Sequence, residues 1–226
     1  MEILYEDNHI IAVNKSVAEI VQADKTGDRS IEDLLKEYIK EKYKKPGEVF
    51  LGVVHRIDRP VSGVVLFART SKALTRLNVM FQEKTIEKIY WAIVKEKPPK
   101  LEDTLVHYLV RNTQTNKSYC HDMEVRGSKL AVLHYRWLAS SDLYHLIEVN
   151  LETGRHHQIR SQLATIGCPI KGDLKYGFPR SNKDAGINLH ARKITFIHPV
   201  RDEEITIVAP PPKDNLWDAF FKILDK

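Results

Sequence analysis

Cysteine is nearly absent from this chain: Cys120 and Cys168 are the only two in 226 residues, and neither belongs to a Cys-x-x-Cys pair. A disulfide framework is excluded, and a reducing cytoplasm is the expected setting. No stretch approaches eighteen uninterrupted apolar residues, which excludes a membrane-spanning helix. The start, Met1-Glu2-Ile3-Leu4-Tyr5-Glu6-Asp7, lacks the basic opening and long apolar run of a signal peptide. There is no internal repeat or low-complexity tract. The glycines of Gly47-Glu48-Val49-Phe50-Leu51-Gly52 form neither a P-loop nor a dinucleotide fingerprint. Ser62, in Val61-Ser62-Gly63, lacks the preceding Gly-x of a nucleophile elbow. Ten histidines show no His-Glu-x-x-His, and adjacent residues such as His156 and His157 would point about 100° apart on a helix. Neither a metal nor a cofactor is expected.

What is present is ordinary in bulk. Hydrophobic residues make up 42% and charged residues 29%, as in a soluble globular protein. The net charge of +5 and pI near 9.0 argue only weakly for a nucleic-acid partner. The runs Lys40-Glu41-Lys42-Tyr43-Lys44-Lys45 and Lys95-Glu96-Lys97-Pro98-Pro99-Lys100 read best as a solvated helix face and a solvated loop. The linker-like signals, Lys97–Lys100 and Pro210-Pro211-Pro212, are short, so one domain over 1–226 and a monomer are expected.

Apolar patterning predicts strands at Ile10–Val13, Gly63–Ala68, Ile89–Val94, Leu130–Trp137, Tyr144–Asn150, Thr195–Ile197 and Ile205–Val208. The start of Leu130–Trp137 reads as buried on both faces. Helices are predicted at Ser30–Tyr43, Ser71–Phe81, Arg155–Ile166 and Asn215–Leu224, with Ser30 and Ser71 as N-caps. Ala73, Leu74, Leu77, Met80 and Phe81 lie at core spacing in the second helix. In the third, Ile159, Leu163 and Ile166 form an apolar stripe, while His156 and Arg160 share another face. Strands outnumber helices without regular β-α-β alternation. The expected fold is α+β, a mixed, largely antiparallel central sheet flanked by helices.

The densest chemistry lies in His55-Arg56-Ile57-Asp58-Arg59-Pro60-Val61-Ser62-Gly63, which leads into the apolar Val64-Val65-Leu66-Phe67-Ala68. One acid sits between two arginines on a tight loop. Flanking guanidinium groups favour the charged form of a carboxylate, so Asp58 suits a nucleophile or an electrostatic stabiliser. The arginines suit phosphate or carboxylate partners. A retaining glycosidase would need a second carboxylate about 5 Å away, and the central motifs offer only Asp58, with Asp173 falling after the helix. One carboxylate suits a reaction in which the base never leaves the site.

The loop resembles the H-R-L-D-x-x-T-S-G signature of the RluA-type RNA pseudouridine synthases. Thr153-Gly154-Arg155-His156-His157-Gln158-Ile159-Arg160, followed by Pro169-Ile170 and Gly172-Asp173, resembles the family's G-R-x-H-Q-I-R block and its trailing G-x-P-I-x-G-D. Lys88-Ile89-Tyr90 looks like its K-x-Y element, and Leu189-His190-Ala191 with Ile197-His198-Pro199 like its L-H-A…H-P segment. These blocks stand in the family's order. The catalytic pattern begins almost at once, at Leu4–Val13, so no N-terminal S4-type module is expected. The resemblance implies an isomerase that converts uridine to pseudouridine in ribosomal or transfer RNA. It implies Asp58 as the catalytic carboxylate, Arg160 as its charge partner and Tyr90 as a platform under the uracil. Arg56 would fill the gap left by the flipped nucleotide, with Arg59, Arg155 and His156 holding the RNA. A non-catalytic RNA-binding factor is disfavoured by the intact Asp58, Tyr90 and Arg160. The family's Asn-Lys-Pro-x-Gly segment reads here Asn14-Lys15-Ser16-Val17-Ala18, and its signature threonine is Val61.

Overall fold

In chain order, the strands and helices of the computed structural model are β1 (Glu2–Glu6), β2 (Ile10–Lys15), α1 (Ile31–Lys42), β3 (Gly52–Val53), β4 (Ser62–Ala68), α2 (Ser71–Glu83), β5 (Glu87–Val94), β6 (Glu102–Asn112), β7 (Lys117–His121), β8 (Lys129–Ser140), β9 (His145–Leu151), α3 (Gln158–Thr165), β10 (Leu189–Ile197), β11 (Glu204–Val208) and α4 (Asn215–Leu224). It describes residues 1–24 and 27–224. The pairings are largely antiparallel, and the class is α+β. Two compact units interleave along the chain: Met1–Ile86 with Ala191–Pro210, and Glu87–His190 with the C-terminal residues from Pro211.

In the first unit, β2 pairs with β1 and with β4, whose other edge receives β3; β11 pairs with β10. β4 is buried along its whole length, as its unbroken apolar run requires. α1 lays Ile31, Leu35 and Ile39 on a core with Ile11, Val13, Val65 and Phe67. Its start is fixed by a reciprocal capping box between Ser30 and Asp33, of the kind that contributes about 1 kcal/mol. The cap of α2 is Thr70, not Ser71: Thr70 is still extended as the chain leaves β4, and its Oγ1 accepts the Ala73 N–H at 3.2 Å. Of the five expected core positions in α2, Ala73 and Leu77 are fully buried, while Leu74, Met80 and Phe81 are partly covered.

The second unit is an antiparallel sheet in the spatial order β5-β9-β8-β6-β7. Trp91 and Ile93 of β5 pack with Ala139 and Leu146 under Trp217 and Phe220 of α4. β8 alternates from its start rather than beginning doubly buried: Leu130 is exposed, and Ala131, Leu133 and Tyr135 supply the covered face. The β6–β7 hairpin was not legible from the apolar pattern, because Glu102, Asp103, Thr104 and His107 dilute it. Its turn is built by Asn112, whose Oδ1 accepts the N–H groups of Gln114 and Thr115, with Asn116 in the left-handed conformation.

Candidate active site

The Asp58 loop belongs to the first unit, and four neighbours set its shape. Ile57 packs on the α1 core. The Val61 N–H donates to the Asp58 carbonyl at 3.0 Å, closing a turn over Asp58-Arg59-Pro60-Val61. Lys15, fully buried at the end of β2, donates from Nζ to the carbonyls of Ser16 (2.8 Å), Arg59 (3.0 Å) and Val61 (2.7 Å). Three carbonyls take the three donors of one ammonium group. Burial pulls the Lys15 pKa down to about 8, against the raising effect of the Glu19 and Asp58 charges. Gly63 then seals the loop onto β10. Its φ is +118°, and a Cβ there would stand 2.3 Å from the Ala191 carbonyl oxygen, so no other residue fits.

The segment that departs from the family pattern supports the same loop. Ala18, in the family's glycine place, has φ +68° and donates its N–H to the Arg59 carbonyl at 3.1 Å. Ser16, in the proline place, uses the N–H that proline would lack to donate to Glu19 Oε2 at 2.7 Å. Of the loop arginines, Arg59 pairs with Asp28 at 2.7 Å, both partly exposed. Arg56 is exposed and lines a cleft of about 450 Å³ with Gln22, Glu32 and His55.

In the second unit, Tyr90 stands on β5 opposite Val149 of β9, half-buried on the face away from α4. Arg160 is in α3 and buried. Its Nε and Nη2 donate to the two oxygens of Asp173 at 2.6 and 2.9 Å, a bidentate pair with the Asp173 side chain also buried. The Arg160 guanidinium also lies 5.2 Å from the Tyr176 ring centroid. α3 begins at Gln158, three residues later than the spacing predicts. His157 takes φ +53° at the N-cap and ends the helix there. Upstream, the Gln158 side chain replaces a first turn: Oε1 accepts from Thr153 Oγ1 and the Arg155 N–H, and Nε2 donates to the Val132 carbonyl. His156 is therefore outside the helix and shares no helix face with Arg160. Its Nδ1 meets Ser118 Oγ at 2.9 Å, its Nε2 meets Asn116 Oδ1 at 3.1 Å, and its ring stacks on His157. Arg155 is exposed, with Nε donating to the Leu130 carbonyl.

Lys15, His157, Gln158 and Asp173 shape these segments as well, beyond the residues the motifs point to. The last three lie inside the quoted blocks, where the signal was available. Lys15 sits in a segment singled out for the residues it lacks. Among the described residues no group of three His, Cys, Asp or Glu side chains is placed to hold a metal ion, and no helix is long and apolar enough to cross a membrane.

A family model described as RNA pseudouridylate synthase matches residues 9–165. The uncharacterized RNA pseudouridine synthase YhcT of Bacillus subtilis is 33% identical over 231 residues, covering 98% of this chain and 72% of that protein. Ribosomal large subunit pseudouridine synthase D of Zymomonas mobilis is 32% identical over 234 residues, covering 99% and 73%. An uncharacterized RNA pseudouridine synthase of Synechocystis is 34% identical, and the chain spans 66% of its length. Among solved structures, human RNA pseudouridylate synthase domain containing 4 superposes with a TM-score of 0.79 at 24% identity, covering 99% of this chain and 93% of that one, which shows the fold.

Proposed function

Because the chain belongs to the RNA pseudouridine synthase family, we propose that it isomerises specific uridines of ribosomal or transfer RNA, with Asp58 as the reacting carboxylate. The N1–C1′ bond breaks, the uracil turns, and C5 bonds to C1′; the C5 proton is lost and N1 regains one, so nothing is consumed. The observation that carries this reading is the Asp58 loop. Lys15, Gly63 and the Asp58–Val61 turn hold its backbone in one shape, and a reacting group is effective only when its position is fixed beforehand. Asp58 acts at the ribose, either as nucleophile at C1′ or by assisting proton removal.

Arg160 supplies positive charge to the reaction, and its buried bidentate pair with Asp173 fixes the guanidinium in place. Tyr90 stacks on the uracil, a contact worth about 1–3 kcal/mol per base. Arg56 fills the vacated stack once the nucleotide is flipped, which C1′ chemistry requires. Arg59, Arg155 and His156 hold the RNA backbone, and the enzyme acts as a monomer.

Two measurements test this. Pseudouridine mapping in total RNA from cells with and without the gene identifies the substrate. Tritium release from C5-labelled uridine in that RNA, with Asp58→Asn beside the unmodified protein, tests the acid. Asp58→Asn is expected to abolish release while RNA affinity stays nearly intact; turnover within tenfold of the unmodified protein removes Asp58 from the mechanism.

A further inference from the structure

Beside the Asp58 loop, on the first unit, lies the open cleft of about 450 Å³ that Arg56 lines. Its walls are rigid for identifiable reasons. Gln22 follows Ile20 and Val21, whose carbonyls accept the N–H groups of Ile31 and Glu32 at 2.8 and 3.1 Å, so that segment is stitched to the start of α1. Glu32 is largely buried, at 15% side-chain exposure, with Oε1 on Lys36 Nζ at 2.6 Å. Leu51 and Val53 form an apolar floor, Val53 through its pairing with Phe67. His55 is fixed by the Leu66 N–H, which donates to its Nε2 at 3.0 Å, and by stacking on Phe81. Arg56 closes the rim.

We propose that this cleft receives a guanine base of the RNA next to the target uridine, read by Glu32 and Gln22. Glu32 gives Oε1 to Lys36, and an acidic acceptor on the wall matches the N–H donors of a base edge, which a phosphate lacks. Guanine presents two adjacent N–H donors, N1–H and N2–H2, to a bidentate carboxylate, and its O6 accepts from a side-chain amide such as that of Gln22. Adenine, cytosine and uracil each offer such a carboxylate a single donor group. Leu51 and Val53 lie at the floor of an otherwise polar cleft, and Leu51 belongs to the core beneath it. Arg56 and Asp58 are two residues apart, at most about 7 Å between Cα atoms, so the base held here is an immediate neighbour of the reacting nucleotide.

The proposal rests on the RNA substrate inferred above, and binding alone tests it. Fluorescein-labelled pentamers UUGUU, UUAUU, UUCUU and UUUUU are titrated by fluorescence anisotropy against the unmodified protein, Glu32→Gln and Gln22→Ala. UUGUU is expected to bind at least about fivefold more tightly than the other three, the lower end of what a bidentate base contact contributes. Both substitutions should erase most of that preference while leaving UUUUU affinity within about twofold. A guanine preference below fivefold overturns the proposal, as does a preference that survives both substitutions. So does Glu32→Gln tightening all four alike, the outcome for a phosphate site. Tritium release reports the isomerase activity separately, so either reading can fail without the other.

Discussion

Lys15 decides the geometry of the Asp58 loop with a single side chain, and its charge state is therefore open to measurement. With the pKa drawn down to about 8 by burial, the group is an ammonium at pH 7, with three donors for three carbonyls. Above pH 8 it becomes an amine with two, and one of the Ser16, Arg59 or Val61 carbonyls loses its partner. Turnover is expected to fall with the loss of one proton near pH 8. The stability term has the opposite sign. The folded state releases this proton earlier than the unfolded chain, so between about pH 8 and the ordinary lysine range the unfolded state binds more protons and stability rises. A pH–rate profile beside melting curves over pH 7–9.5 checks the divergence. In Lys15→Met the rate should lose that limb, and stability should drop by about 3 kcal/mol as the three carbonyls lose their partner. A profile with the same limb in Lys15→Met assigns the titration elsewhere.

Two segments carry predictions at the scale of elements. Ala18 holds a left-handed backbone where a Cβ costs about 1–2 kcal/mol, so Ala18→Gly is expected to stabilise by about 1 kcal/mol, some 2–4 °C in Tm for a chain of this size. Unchanged or lower Tm in a thermal melt contradicts the strain. Asp173→Ala strands the Arg160 guanidinium in a buried site and should cost about 3–5 kcal/mol in denaturant unfolding. A loss under about 1 kcal/mol would mean that water reaches the pair. These segments also show where the sequence is readable. β2, β4 and β5 stand out because unbroken apolar runs have no alternative to burial, and the capping of α1 follows from Ser30. The Asp58 loop was legible through its motif. The start of α3 was not: Thr153-Gly154 has the composition of a cap, but the Gln158 side chain takes the Thr153 hydroxyl and the Arg155 N–H, and His157 takes the left-handed turn. Side-chain capture of this kind leaves no periodicity to detect. Lys15 is illegible for a similar reason, because nothing local distinguishes a buried lysine from a solvated one before its three acceptors, two of them more than forty residues away, are known.

For the whole molecule, binding and chemistry should respond to ions differently. Arg59 and Arg155 are exposed, and binding that neutralises two phosphates weakens about tenfold between 50 and 200 mM salt. Filter binding across that range is the check, and a flat response would remove these arginines from the backbone contacts. Turnover on an unstructured oligonucleotide is expected to survive EDTA, since no ligand cluster exists among the described residues; arrest by chelation would contradict it. The interleaving of the two units has a temporal consequence. Gly63 is seated against Ala191, and the first unit is completed by residues 191–210. During synthesis, which runs at about 5–20 residues per second, the segment bearing Asp58 leaves the ribosomal tunnel well over a hundred residues before its wall does. A nascent chain displays Asp58 without the strand that seats its loop, so that loop takes its final form only once β10 has left the tunnel.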